Sequence, residues 1–325
     1  MQRPRLAAIL IAASGLVPLC AWGQPVAIEA GIPPYAVTSG VSGNLSSIGS
    51  DTLNDTMTLW AEGFHTRYPN VKVQIEGKGS STAPPALIDG TAQLGPMSRE
   101  MKPTEIDAFE KKFGYKPTAY RVAVDALAVW VNKDNPLTQA TLPQIDAIFS
   151  KTRRCGMPAA IDDWSQIGLG GVFKGRRISL YGRNSASGTY GYFKEHALCN
   201  GDYRDEVKEQ PGSASVVQGV TEDTFAIGYS GMGYRTSGVK SLELAKAEGQ
   251  PYVAADAAGV YSGRYPLARF LFVYVNQRPG QAPDPLVREF LRFVLSHDGQ
   301  EVVVKAGFLP ITQAIDGEER KKLGS

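Results

Sequence analysis

Two apolar runs constrain the fold of this 325-residue chain more than any other feature. The first reads as a long strand from Tyr120 to Val131. The second, Ala268 to Asn276, repeats the character of Ala123 to Asn132, and both end in Val-Asn. Between them lies a middle third with its own strand and helix signals. Two such strands flanking a middle segment predict paired crossovers, the hinge of a two-lobed molecule. Length agrees, because about 300 residues exceed one comfortable hydrophobic core.

Around these runs, short β-branched stretches alternate with amphipathic helices, which predicts an α/β architecture. Leu53, Met57, Trp60 and Phe64 recur at helical spacing before the strand Val71 to Ile75. Ala83 to Ile88 suggests a short helix, Gln93 to Gly95 a buried strand, and Ile106, Phe109 and Phe113 another helix. In the middle third, Ile178 to Tyr181 and Phe225 to Tyr229 read as strands. A C-terminal helix carrying Leu286, Phe290 and Phe293 is expected to pack back on the first lobe. The expected division is residues 44–131 with 250–325 as the discontinuous first lobe, and 132–249 as the second. Residues 24–43, rich in Pro, Gly, Ser and Ala, read as a loosely held arm.

The N-terminus begins Met-Gln-Arg-Pro-Arg, followed by an apolar run from Leu6 to Leu19 and a small-residue exit. That is the pattern of a secretory signal, 1–23, with cleavage after Gly23. A lipobox ending at Cys20 competes, but Leu19 occupies a position that calls for a small residue. The run is too short to span a membrane comfortably, so an exported chain is expected, in the periplasm or secreted. Two cysteines then remain, Cys155 and Cys199. In an oxidising compartment they are candidates for one disulfide, with two buried free thiols as the alternative.

Residues 178–194 hold the densest chemical signal. A strand ends at Tyr181, Arg183 follows, and Ser187-Gly188-Thr189 opens a helical spacing through Tyr190, Phe193 and Ala197. Hydroxyls in the first turn of a helix, beside free N–H groups and the positive dipole end, suit an oxyanion. Arginine adds a bidentate fork, and glycine permits close approach. Taken alone, Ser-Gly-Thr is more often a plain helix cap than an anion seat. Three further strand exits share its character: Gly49-Ser50-Asp51-Thr52, Gly77-Lys78-Gly79-Ser80-Ser81-Thr82 and Pro96-Met97-Ser98-Arg99. In open α/β sheets ligands bind beyond the carboxyl ends of strands, so four such loops can converge.

Other chemistries are poorly supplied. No GxxxxGK[ST] or GxGxxG pattern occurs, and Gly228-Tyr229-Ser230-Gly231-Met232 fails the GxSxG pattern at its last position. The three histidines, His65, His196 and His297, have no metal-ligand spacing. A formal net charge of +2 argues against a nucleic-acid surface.

From Gly49 to Ile311 the chain resembles the periplasmic phosphate-binding proteins of ABC importers. The motifs appear in order: Gly49-Ser50-Asp51-Thr52, Gly79-Ser80-Ser81, Ser98-Arg99, Asp125 in a strand with Ala126 replacing the family's glycine, and Arg183 with Ser187-Gly188-Thr189. Ser296 to Gln300 and Gly307 to Pro310 resemble the family's structural C-terminal ending. The resemblance implies the periplasmic-binding-protein fold, closing over one inorganic phosphate and presenting it to a membrane permease. It implies a monomeric, non-enzymatic component with no cofactor. Thr52, Ser80, Ser98, Arg99, Arg183, Ser187, Gly188 and Thr189 carry over as ligands. Two departures leave the carboxylate open. Asp51 stands where many relatives have a small hydroxyl residue, and Ser98-Arg99 falls where some place a buried aspartate. Asp125 is the favoured carboxylate to face the ligand, and beside Arg99 it could instead hold that arginine; Asp51 is the other candidate. A phosphate scavenger or sensor without a permease, and an exported phosphatase, are the competing functions.

Overall fold

The computed structural model describes residues 26–324. The expected signal segment, with Cys20 and the Gly23 cleavage site, lies outside the described residues. The chain opens with β1 (Gly43–Ile48), α1 (Asn54–Arg67), β2 (Val71–Glu76), α2 (Ala83–Asp89), β3 (Gly95–Met97) and α3 (Pro103–Phe113). It then enters the long strand β4 (Thr118–Asn132). The middle of the chain carries β5 (Gln139–Thr141), α4 (Leu142–Phe149), β6 (Ser179–Arg183), α5 (Gly188–His196), β7 (Lys208–Gln210) and α6 (Ser213–Glu222). Strands β8 (Ala226–Gly231), β9 (Val239–Ser241) and β10 (Glu243–Ala245) and the short α7 (Ala257–Tyr261) complete it. The return strand is β11 (Ala268–Val275), followed by α8 (Pro285–Val294), α9 (His297–Lys305) and α10 (Gln313–Lys322).

Strand β4 creates the hinge. Its residues Thr118 to Ala126 pair antiparallel with β11, and Leu127 to Val131 pair antiparallel with β8. At about 3.3 Å per residue such a strand is about 50 Å long, enough to run through both lobes. The main sheet is ordered β3-β11-β4-β8-β6-β7, with β9 also on β4. β1 and β2 form a parallel pair, bridged to the first-lobe sheet where Ser47 meets Leu94. The short strand expected over Gln93–Gly95 lies two residues further on, at β3.

Each lobe has its own core. Met57, Trp60 and Phe64 present one face of α1, all at 0 % exposure, against Phe290 and Phe293 of α8, as the helical spacing predicts. Gln300 holds the C-terminal ending in place: its amide nitrogen donates to the Val122 and Val294 carbonyls, and its oxygen accepts from Ile311 N. The second core gathers Phe149, Trp164, Phe193 and Tyr229. It also takes in Val260, Tyr265 and Leu267, so the 250–267 segment, expected in the first lobe, packs largely on the second core, while Tyr261 OH donates to Pro310 O of the C-terminal ending at 2.7 Å. The described part of the 24–43 segment lacks regular structure but is not loose. Ile32 is buried in the first core, His297 N donates to Pro33 O, and Tyr35 OH bonds Glu289. A Pro/Gly-rich composition forbids strands and helices there without preventing docking.

Cys155 and Cys199 form a disulfide with Cα atoms 5.5 Å apart, tying the loop after α4 to the end of α5. It closes a separation of 44 residues, for which the chain-entropy estimate is about 4 kcal/mol. Denaturant unfolding with and without reductant is expected to show a stability loss of that order. Coincident midpoints would mean that the bridge contributes nothing.

Candidate anion-binding site between the lobes

All four strand exits arrive at one place because β1, β2, β3 and β6 point their carboxyl ends at the lobe seam. Ser50 N donates to Pro96 O (2.8 Å) and Gly79 N to Gly49 O (2.7 Å), which locks the three first-lobe loops together. Ser98 N donates to Ser80 Oγ at 3.0 Å, and the two hydroxyls lie 3.3 Å apart. The fourth loop meets them from the other lobe. Thr189 Oγ1 is 2.9 Å from Thr52 Oγ1 and 3.5 Å from Ser98 Oγ. Ser81 N donates to Ala186 O at 3.1 Å, again across the seam.

Two glycines make this approach possible. A Cβ on Gly188 would fall 2.3 Å from Ser80 Oγ and 2.7 Å from Ser98 Oγ. Gly79 has φ +122°, where a side chain is strained, and a Cβ there would meet Ala186 O at 2.5 Å. Ser187 caps α5, its Oγ accepting from Thr189 N (3.1 Å) and Tyr190 N (3.4 Å). Capping and anion binding use the same first turn, so the two readings of Ser-Gly-Thr are compatible.

Arg183 leaves the end of β6 with only 1 % exposure. Its Nη1 donates to Ser213 Oγ (2.7 Å) and lies 3.2 Å from Asp51 Oδ2; its Nη2 donates to Pro211 O (3.0 Å). The buried Nε has no hydrogen-bond partner. Burial pushes this guanidinium below its ordinary pKa, and Asp51 opposes that shift. Asp51 Oδ2 also accepts from Ser213 N at 2.9 Å, and Tyr234 OH from the second lobe donates to Asp51 O at 2.9 Å. Tyr234 ionises well above its usual range because it is buried near Asp51, so it stays a neutral donor.

The other two arginines near the seam also have carboxylates of their own. Arg99 forms a bidentate pair with Glu105, 2.7 Å on each arm, and donates to Ser81 Oγ (3.2 Å) and Glu100 O (2.8 Å). Arg269 pairs with Asp125, whose other oxygen accepts from Met232 N at 3.0 Å. Each positive charge is thus largely balanced; the seam gathers hydroxyls of both lobes, and one buried guanidinium N–H, on Arg183, has no partner. Such a set suits a small, fully coordinated oxyanion. Among the described residues no group of three or more metal-ligating side chains occurs, and no helix is long and apolar enough to cross a membrane.

Residues 36–298 match the family model described as a PBP superfamily domain. The chain is 56 % identical over 298 residues to the protein of Pseudomonas aeruginosa named phosphate-binding protein PstS, covering 92 % of each. The chain belongs to the PstS phosphate-binding family. It is 29 % identical over 278 residues to the Bacillus subtilis PstS, covering 83 % of this chain and 82 % of that one. The solved ABC-type phosphate transport receptor from Vibrio cholerae shares the fold, with a TM-score of 0.64 at 22 % identity, over 82 % of this chain and 100 % of that one.

Within this PstS-family chain, Asp51, Thr52, Ser80, Ser98, Arg183, Ser187, Gly188 and Thr189 come together at the seam. Arg99 reaches the seam with its stem, Cδ and Nε lying beside Gly191 of α5, while its terminal nitrogens are bonded inside the first lobe. Asp125, favoured from the sequence as the acid facing the ligand with holding Arg99 as the alternative, does not hold Arg99. Glu105, in the first turn of α3, holds it instead, and Asp125 is bonded to Arg269. The residues that sequence reasoning missed are Arg269, Glu105, Ser213 and Tyr234. Arg269 had a visible signal, a lone cation inside an apolar crossover strand.

Proposed function

We propose that this chain binds inorganic phosphate between its lobes and presents it to an ABC permease in the membrane, from the periplasm or another extracytoplasmic space. The reading rests on one observation above all. Hydroxyls from both lobes converge at the seam, and Arg183, paired there with Asp51 next to Thr52, has a buried Nε–H that lacks an acceptor. A tetrahedral anion supplies acceptors to all of these donors at once, and only when the lobes are shut. Thr52, Ser80, Ser98, Arg183, Ser187, Gly188 and Thr189 form the proposed ligand set, with Asp51 at its edge. Arg99 and Asp125 support it from behind. Ser187 Oγ already accepts two amides, and the His65 and His196 rings bond main-chain carbonyls. Binding without turnover is therefore the activity proposed, carried out by a monomer.

Calorimetry of ligand-stripped protein tests this directly. Phosphate is expected to bind with a micromolar or tighter dissociation constant, equivalent to about 8 kcal/mol. Eight charge-assisted hydrogen bonds at roughly 1.5–3 kcal/mol each exceed that figure, and the difference goes into desolvating the anion and closing the lobes. Heat with sulfate but none with phosphate would overturn the assignment.

A further inference from the structure

We propose that Arg269 is a positioning residue for the anion seat, acting through Thr189: it makes that hydroxyl a donor and ties lobe closure to the hinge. The proposal rests on the phosphate-binding reading above.

One guanidinium here touches three parts of the molecule. Arg269 lies on β11 directly opposite Asp125 on β4, where the strands cross between lobes. Their side chains are 2 % and 0 % exposed. Nε and Nη2 donate to Asp125 Oδ2 at 2.9 and 2.7 Å. Nη1 donates to Ser98 O at 2.9 Å, in a first-lobe loop. Nη2 also donates to Thr189 Oγ1 at 3.0 Å, in the first turn of the second-lobe helix α5. The guanidinium carbon sits 5.3 Å from the centre of the Tyr192 ring, also on α5.

Arginine donates and never accepts. Thr189 Oγ1 must therefore accept from Arg269, which takes up one of its lone pairs and favours turning its single proton away from the cation, toward Thr52 Oγ1 or Ser98 Oγ. An anion seated among those hydroxyls meets Thr189 as a donor. Without Arg269 the hydroxyl could rotate its proton away and present lone pairs to a multiply charged anion, which is repulsive. The pair with Asp125 fixes the fork in the plane needed to reach both lobes. A pair serving only to join β4 and β11 would not need its two remaining contacts to end on loops of opposite lobes. The Arg269–Thr189 bond joins the hinge strand to the second-lobe helix α5, so the hydroxyl's polarity is tied to this arrangement of the two lobes.

The test is a double-mutant cycle read by phosphate calorimetry. Arg269→Gln is combined with Asp125→Asn, so that no buried charge is left unpaired, and Arg269→Lys serves as a second variant that retains charge and one donor. Each is made in the Thr189 and Thr189→Val backgrounds, with thermal unfolding recorded alongside. We expect the neutral pair to lose at least about tenfold in phosphate affinity with Thr189 present, the scale of one charge-assisted hydrogen bond. In the Thr189→Val background the same change is expected to alter affinity less than about twofold, while the unfolding shift is equal in both. Arg269→Lys is expected to fall between. Equal losses in both backgrounds, or an unchanged affinity of the folded neutral pair, would overturn the proposal and leave phosphate binding by the unaltered protein untouched. Unaltered protein that ignores phosphate but takes up sulfate overturns the functional reading alone, and the cycle is then read with sulfate. Unaltered protein that binds neither overturns both.

Discussion

Replacing Arg183 with methionine is expected to weaken phosphate binding between about tenfold and a hundredfold, as loss of a charge-assisted hydrogen bond worth roughly 1.5–3 kcal/mol requires. The side chain is buried at 1 % exposure and keeps one donor without a partner. A buried, unpaired guanidinium N–H carries a desolvation cost that only an acceptor removes, and the anion is the acceptor we propose. The substitution acts twice. It removes the donor, and it frees the Pro211–Ser213 turn and Asp51, which Arg183 now holds. Methionine keeps much of the buried volume, so the second-lobe core should survive. Ser80→Ala removes one hydroxyl of several and is expected to cost less. Calorimetry on both variants decides the matter, and unchanged affinity in Arg183→Met would sink the site.

The second large effect separates two carboxylates. Phosphate at neutral pH keeps at least one proton and can donate it, whereas sulfate cannot, so a carboxylate facing the seat favours the former and repels the latter. Asp125 is less suited to that role, since it is fully buried and already bonded on both oxygens, one to Arg269 and the other to Met232 N. Asp51 is placed for it, at the edge of the hydroxyl cluster, with Oδ2 toward Arg183 and Ser213 N. Asp51→Asn is therefore expected to narrow the gap between phosphate and sulfate affinity, with a loss of stability as well, because it takes the nearest carboxylate from the buried Arg183. Asp125→Asn is expected to leave that gap as it is. It leaves Arg269 buried without a counter-charge, at a cost of about 3–5 kcal/mol in unfolding free energy. Chemical denaturation and paired titrations read both. Loss of selectivity in Asp125→Asn, with stability intact, would return the role to the crossover strand.

Local patterns in the chain were enough to determine its alternating architecture, the two crossover strands and the four loops that meet at the seam. These signals are short in range. Met57, Trp60 and Phe64 declare a helix by spacing, Val71 to Ile75 a strand by β-branching, and Ser-Gly-Thr a helix start by its chemistry. The same locality explains Glu105, six residues from Arg99 and in the first turn of α3: a capping argument reaches that pairing. Arg269 and Asp125 lie 144 residues apart and Tyr35 and Glu289 254 apart. No local rule pairs such residues. Their partnership follows from how β4 and β11 register and how α8 lies on the first core. The tertiary structure alone decided that the 250–267 segment joins the second core, and that the proline-rich segment near the start docks against α8 and α9. It likewise decided which carboxylate each arginine takes. Burial decides these matters, because an unpaired charge or polar group removed from water is costly, and which partner is near enough to remove that cost is known only once the chain has closed on itself.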